Sequence, residues 1–279
     1  MRQLHSPTPT RRPPRRHALA WALAAGCGLA GSTGAGAAGN LLLIEAAPAQ
    51  ARLAVGASLW AWPRYPGARQ STATPLPALA YAHPNGFFAS TDDGLGWNLS
   101  GRPDVQAGLR LWPQWGRHAA DAAPGVGGIG DRLQAEAFAN WSPSPVLLLQ
   151  SGLLQGAGRQ HKGLQLELGA TSGLPIGADL LGIGLSASYA NAAYRNSYFG
   201  IDAAQAAASG LAERQPGAGW LDVGLTLSAE HRLSPQWHLG GQLLLARLQG
   251  TTAAPANSAR PWPPARTQRA GTLTLWRDL

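Results

Sequence analysis

Residues 221–233 read Leu-Asp-Val-Gly-Leu-Thr-Leu-Ser-Ala-Glu-His-Arg-Leu. Leu221, Val223, Leu225, Leu227 and Ala229 share one parity; Asp222, Gly224, Thr226, Ser228 and Glu230 share the other. Alternate side chains of a strand stand on opposite faces, so this segment has one oily face and one polar face. The rhythm returns in Gly163–Ala170 and Leu181–Tyr189. A helix would need apolar residues every three or four positions. A long strand of this kind suits a closed barrel with lipid outside and water inside.

Alternation and turn signals together predict an all-β fold: an antiparallel transmembrane β-barrel of about twelve strands, with ten to twelve compatible with the pattern. The clearest strands are Arg52–Trp62, Val105–Trp112, Arg132–Trp141, Val146–Leu154, Gly163–Ala170, Leu181–Tyr189, Leu221–Leu233, Trp237–Leu248 and Gln268–Trp276. Leu76–Tyr81, Gly86–Thr91 and Leu95–Ser100 are weaker. Three connections are short (83–85, 142–145, 234–236) and three are long (113–130, 191–219, 249–265). If the N-terminus starts in the periplasm, all the short ones fall on the periplasmic side and all the long ones outside, as in outer-membrane barrels.

Trp141 and Trp237 flank short turns on the apolar parity, which fits an interfacial aromatic girdle. Trp60, Trp62, Trp112 and Trp220 fall on the polar parity, so they point inward unless a bulge turns them out. Asp202, the run Ala203 to Ala208 and Gly210 predict a short capped helix over the barrel mouth.

The first 37 residues read as a signal peptide. Arg11, Arg12, Arg15 and Arg16 precede the apolar run 18–30, and Ala35-Gly36-Ala37 is a small-x-small cleavage site. Pro13 and Pro14 after the paired arginines favour Sec over twin-arginine export. Residues 38–51 then form an N-terminal periplasmic segment and 52–279 the barrel. Of 22 basic and 14 acidic residues, five arginines precede residue 40, which leaves a net charge of +3. No dense basic stripe remains, so nucleic acid is not an expected partner. The only cysteine, Cys27, lies in the leader, and 23–27 has a lipobox-like form that makes lipidation there the alternative processing.

No chemistry-bearing constellation appears. His83, His118, His161, His231 and His238 lack metal-ligand spacing, and no nucleophile elbow or phosphate loop is present. Hence no catalytic residue, metal or cofactor is assigned. Glu230 and His231 are adjacent, so on a strand they face opposite ways, and Asp92-Asp93 reads as a solvated turn. Arg110, Arg132, Glu136, Glu167, Asp222, Glu230 and Arg232 lie on the polar parity as lumen-facing charges. Mutual bracing is favoured for them over a channel lining.

Ser197-Tyr198-Phe199-Gly200-Ile201, with Gln205 and Gly210 downstream, resembles the best-kept segment of the MipA/OmpV family of MltA-interacting outer-membrane proteins. The stretches 87–91, 94–99 and 127–131 resemble further family segments. The resemblance implies a non-enzymatic outer-membrane barrel. It also implies a scaffold that joins a lytic murein transglycosylase to a bifunctional penicillin-binding protein, and other members are described as porin-like. Two departures stand out. Residues 65–69 replace the family's acidic loop, and Trp276-Arg277-Asp278-Leu279 replaces its terminal Tyr-Arg-Phe, which weakens the assembly signal. The functional expectations are therefore the scaffold, a porin-like channel for small solutes as the alternative, and a lipid-modifying barrel enzyme as the least favoured.

Overall fold

The computed structural model describes residues 48–250 and 262–279. Twelve antiparallel strands close into one barrel, each paired with its sequence neighbours, and the last pairs with the first. They are β1 (Arg52–Pro63), β2 (Ser71–Ala82), β3 (Phe87–Ser90), β4 (Gly94–Asn98), β5 (Val105–Gln114) and β6 (Arg132–Ser144). The remainder are β7 (Leu147–Ala157), β8 (Gly163–Ile176), β9 (Asp179–Ala190), β10 (Gly219–Arg232), β11 (Trp237–Leu248) and β12 (Thr267–Asp278). All twelve predicted strands are present. Several run longer than predicted, because pairing continues through polar and proline positions that blur the pattern: β8 carries its ladder through Thr171, Ser172 and Pro175 to Ile176.

The barrel is inside out by the standard of a soluble protein. Leu109, Leu133, Leu185 and Leu243 are each more than 60% exposed on the outer face, while Gln106, Gln134, Glu136, Asn140 and Gln165 are buried on the inner one. Exposing a leucine to water forfeits about 1.5–3 kcal/mol, so an outer face built of them belongs in hydrocarbon. No described helix is long and apolar enough to cross a membrane. Backbone pairing in a closed ring is the solution that lipid allows to strands.

The connections sort by length. Residues 83–86, 99–104, 145–146, 177–178 and 233–236 make short links at one end. The stretches 115–131 and 191–218 are long and lie at the other, with the shorter 64–70 and 158–162. The long link after β11 lies partly outside the described residues.

Trp141 and Trp237 are exposed on the outer face near the short turns. Trp97 joins them there, its indole nitrogen donating to the Asn85 carbonyl at 2.8 Å. The four tryptophans on the polar parity divide. Trp60 is buried inside, 6.2 Å from the Trp62 ring, and Trp112 lies under the Arg110 guanidinium. Trp220 is turned out by a register shift between Trp220 and Asp222, and it meets Tyr189 edge-to-face. The same bulge removes Leu221 from the outer face, where strict alternation puts it, and buries it inside.

Candidate functional site

The long outer loops fold back over the barrel. After β9, Asn191 caps helix α1 (Ala192–Phe199) by accepting from the Tyr194 amide. Its side chain also accepts from the Leu164 amide and donates to the Lys162 carbonyl, which fixes the helix to the start of β8. The sequence reading leaves α1 as loop, because its eight residues hold three aromatics and no strong helical pattern. Tertiary burial supplies the stability that propensity does not.

Tyr194, Tyr198 and Phe199 are fully buried with Ile129, Ala157, Ala190, Leu221 and Leu248, which lie in or beside the outer ends of the strands. The Tyr198 hydroxyl lies 3.4 Å from the Gln114 amide nitrogen on β5, and Phe199 reaches the neighbourhood of Gly67 and Pro263. β8, where the helix is anchored, and β2, just past Gly67, are six places apart in the twelve-strand ring. The Ser197–Gly200 segment thus spans the mouth and forms a plug.

The rest of the family segment secures it. Ser197 Oγ accepts from the Arg159 amide and donates to the Ala193 carbonyl. The expected second helix is α2 (Ala203–Ser209), with a capping box between Asp202 and Gln205 and Gly210 in the left-handed conformation. Gln205 also donates to the Val126 carbonyl at 2.5 Å and so ties α2 to the loop after β5. Arg117, buried in the same loop, donates to the Tyr198 and Gly127 carbonyls and lies over the rings of Tyr65 and Trp262. No carboxylate is among these contacts. Burial lowers the Arg117 pKa to about 10, with Arg159 adding to the effect, and burial raises the Tyr198 phenol to about 12.

Below the plug the lumen is polar. Arg110 donates to Glu136 at 2.7 and 2.8 Å and lies 3.4 Å from Asp93. Asp93 corrects the sequence reading of Asp92-Asp93 as a solvated turn: it is buried and held by Ser90 as well as Arg110. The turn it sits in lies within the wall, not at its rim, because the β3–β4 hairpin is short. Glu167 is half-buried on the inner face of β8, and Asp222 is buried on β10. Amide side chains missed by a search for charges line much of the rest: Gln106, Gln134, Asn140, Gln150 and Gln165. Their even spacing on the polar parity was the available signal. The Asn140 amide and Gln150 Nε2 have no partner among the described residues.

Two of the proposed lumen charges stand elsewhere. Arg232 is exposed at the periplasmic end of β10. Arg132, at the outer end of β6, bonds the Arg159 carbonyl and the His161 ring and so belongs to the mouth. Glu230 is near the periplasmic rim. Its carboxylate accepts from His238 at 3.1 Å, across the strand pair, while His231 on the opposite face meets Asp179 at 2.6 Å. His238 stacks on Trp276 and lies 3.2 Å from Asp278. The C-terminal strand therefore turns its tryptophan inward, and Arg277 reaches Gln236 instead.

An apolar outer wall, a wet polar lumen and short links opposite long ones define an outer-membrane β-barrel, here with its outer mouth spanned by a plug. Solved structures are similar to it over most of their length. An outer membrane channel from Pseudomonas putida F1 is 10% identical, with 85% of this chain and 98% of that one covered and a TM-score of 0.43. Neisserial surface protein A is 8% identical over 82% and 96%, with a TM-score of 0.23. The toluene transporter TodX of Pseudomonas putida is 10% identical over 83% and 89%, with a TM-score of 0.26. No curated protein matches the sequence. The family model of MltA-interacting protein MipA matches residues 55–254, and the chain belongs to that family.

Proposed function

We propose that this barrel is a scaffold for peptidoglycan enzymes, working through its periplasmic rim. The observation that carries the reading is the plug. With the outer loops folded inward and Tyr198 buried among strand ends, the outer side presents a fixed cover, and the rim at the other end stays open with exposed charged side chains of its own. That rim holds Arg102 paired with Asp104, His231 with Asp179, Arg232 and Arg277. Family membership supports a partner of the kind its name states, MltA, taken here as a lytic murein transglycosylase; a bifunctional penicillin-binding protein is the second partner of the proposal. In this reading residues 1–37 are a cleaved leader, 38–51 a periplasmic lead-in beside the rim, and the protein has no enzymatic activity of its own.

Cross-linking in intact envelopes followed by pull-down tests the proposal. Recovery of a transglycosylase and a penicillin-binding protein, reduced by Arg102→Glu with Arg232→Glu, is the expected result. Failure to recover either enzyme from cross-linked envelopes refutes it. Mass spectrometry of the mature N-terminus separates cleavage near residue 37 from lipidation at Cys27.

A second reading, a gated channel for small cations, is favoured by one observation. Asp93, Glu136, Glu167 and Asp222 face the lumen, and among the described residues Arg110 is the guanidinium paired with carboxylates there. It requires the plug to move.

A further inference from the structure

The barrel wall has a window. β3 pairs with β2 only over Ala80–Ala82, and β4 pairs with β5 only over Gly108–Leu111. Beyond this short hairpin and its Thr91–Pro77 contact, Ser71–Leu76 of β2 pairs only with β1, and Trp112–Gln114 of β5 only with β6. Two strand edges therefore face each other unpaired. Above them the Arg64–Asp121 ion pair, at 2.5 Å, links the loops that follow β1 and β5.

Prolines occupy both edges. Leu79 directs its amide toward the hairpin, where it donates to Thr91 Oγ1; Pro77 of the same parity borders the window, its carbonyl accepting from Thr91 Oγ1, and Pro75 faces the window beyond it. On β5, Ala107 directs its amide toward Asn98, so Pro113 faces the window too. Proline has no N–H, so three donors that would lie open to lipid are missing by construction. The window lies in the hydrocarbon layer: Pro75 is level with the outward Leu59, and Pro113 with the outward Leu133.

Behind the window stands an aromatic cluster. Trp60 and Leu76 are buried, and Trp62 and Trp115 pack on them; Trp115 comes from beyond β5 and so crosses the opening from within. Trp112 adjoins the head of the hairpin near Gly94. The indole nitrogens of Trp60, Trp112 and Trp115 are buried with no acceptor among the described residues. Buried donors are nearly always hydrogen-bonded, so three without an acceptor beside one opening are an uncommon arrangement.

We propose that the window between β2 and β5 is a lateral binding site for a small amphiphile drawn from the membrane. The ligand is an apolar chain or ring bearing a hydrogen-bond-accepting oxygen. The apolar part lies between the proline edges, and the oxygen accepts from the indole N–H groups. This reading is independent of the scaffold and the channel.

The test uses the folded full-length protein in phospholipid vesicles and 11-bromo-1-undecanol, whose bromine quenches tryptophan fluorescence. Saturable quenching is expected, and 1-bromoundecane at equal membrane mole fraction should bind about tenfold more weakly, for want of its oxygen. Trp60→Phe with Trp112→Phe and Trp115→Phe removes all three donors and should abolish that difference, with folding checked by heat-modifiability on a gel. Linear, non-saturating quenching that is equal for the two compounds in the wild type overturns the proposal, whatever the variants do.

Discussion

The Arg110 guanidinium gives both its Nε and Nη2 hydrogens to the Glu136 carboxylate, across the paired positions of β5 and β6. Both side chains are almost wholly buried in the wall of the lumen. Removing one partner of a buried pair leaves the other as an uncompensated charge, which costs more than removing both. Arg110→Met should lower stability by about 3 kcal/mol. Arg110→Met with Glu136→Met should recover most of that loss, although Asp93 stays without its cation. Urea titration of the refolded barrel, read by intrinsic fluorescence, gives the three midpoints. A double variant no better than the single one would show that the pair contributes no coupling.

The plug should respond to alkaline pH in two opposed ways. Tyr198 has its pKa raised from 10.0 to about 12, so the closed plug holds this proton more tightly than the open one. That stabilising contribution is complete below pH 10 and is lost as pH rises toward 12. Arg117 is lowered from 12.5 to about 10. Its burial therefore penalises the closed plug below pH 10, and the penalty disappears as pH rises through the same window. Each shift is worth about 3 kcal/mol at most. Between pH 9 and 11, Tyr198→Phe should gain urea resistance with pH and Arg117→Gln should lose it, read by near-ultraviolet circular dichroism. The same trend in both variants would contradict the assignment.

Loosening the plug should expose the lumen's charge. Tyr194→Ala with Tyr198→Ala removes two mutually tilted rings, their centroids 4.7 Å apart, from the mouth cluster. Planar bilayers should then show raised conductance with cations preferred, and Glu167→Gln with Asp222→Asn in that background should reduce the preference. Anion selectivity would mean that the carboxylates do not set the potential of the passage.

Gly108 on β5 marks a close approach inside the wall. A Cβ there would lie 1.8 Å from the Trp97 carbonyl oxygen and 3.0 Å from the Phe138 ring. Gly108→Ala should therefore block closure between β4 and β5, and the protein should run at its unfolded position on a gel before heating. Gly101→Ala, at a position with open space around it, should leave folding unchanged.

Much of this was legible in the chain. The period of two in segments such as Gly163–Ala170 fixed the strands and which face each side chain takes, because pleating forces alternation whatever the surroundings. Loop lengths fixed the sidedness, and Ser197–Gly200 with Gln205 marked the family. What alternation could not reveal lay where a strand breaks its rhythm or a loop returns to the body. The bulge at Trp220 moved that ring outward and Leu221 inward. Asp93 is buried because a hairpin that ends inside the wall carries it to Arg110.

The sequence by itself determined a closed barrel with an oily outside and a wet inside, since a strand's two faces follow from residue parity alone. Only the tertiary structure decided what stands in the mouth and where the wall is incomplete. Tyr198 meets Gln114 and Arg117 from positions about eighty residues away, and Pro75 and Pro113 stand on two strand edges left without a second partner, which neither strand's own sequence declares. Such relations depend on how far each hairpin reaches and where each loop returns. Long-range packing and register set these, and no local pattern encodes them.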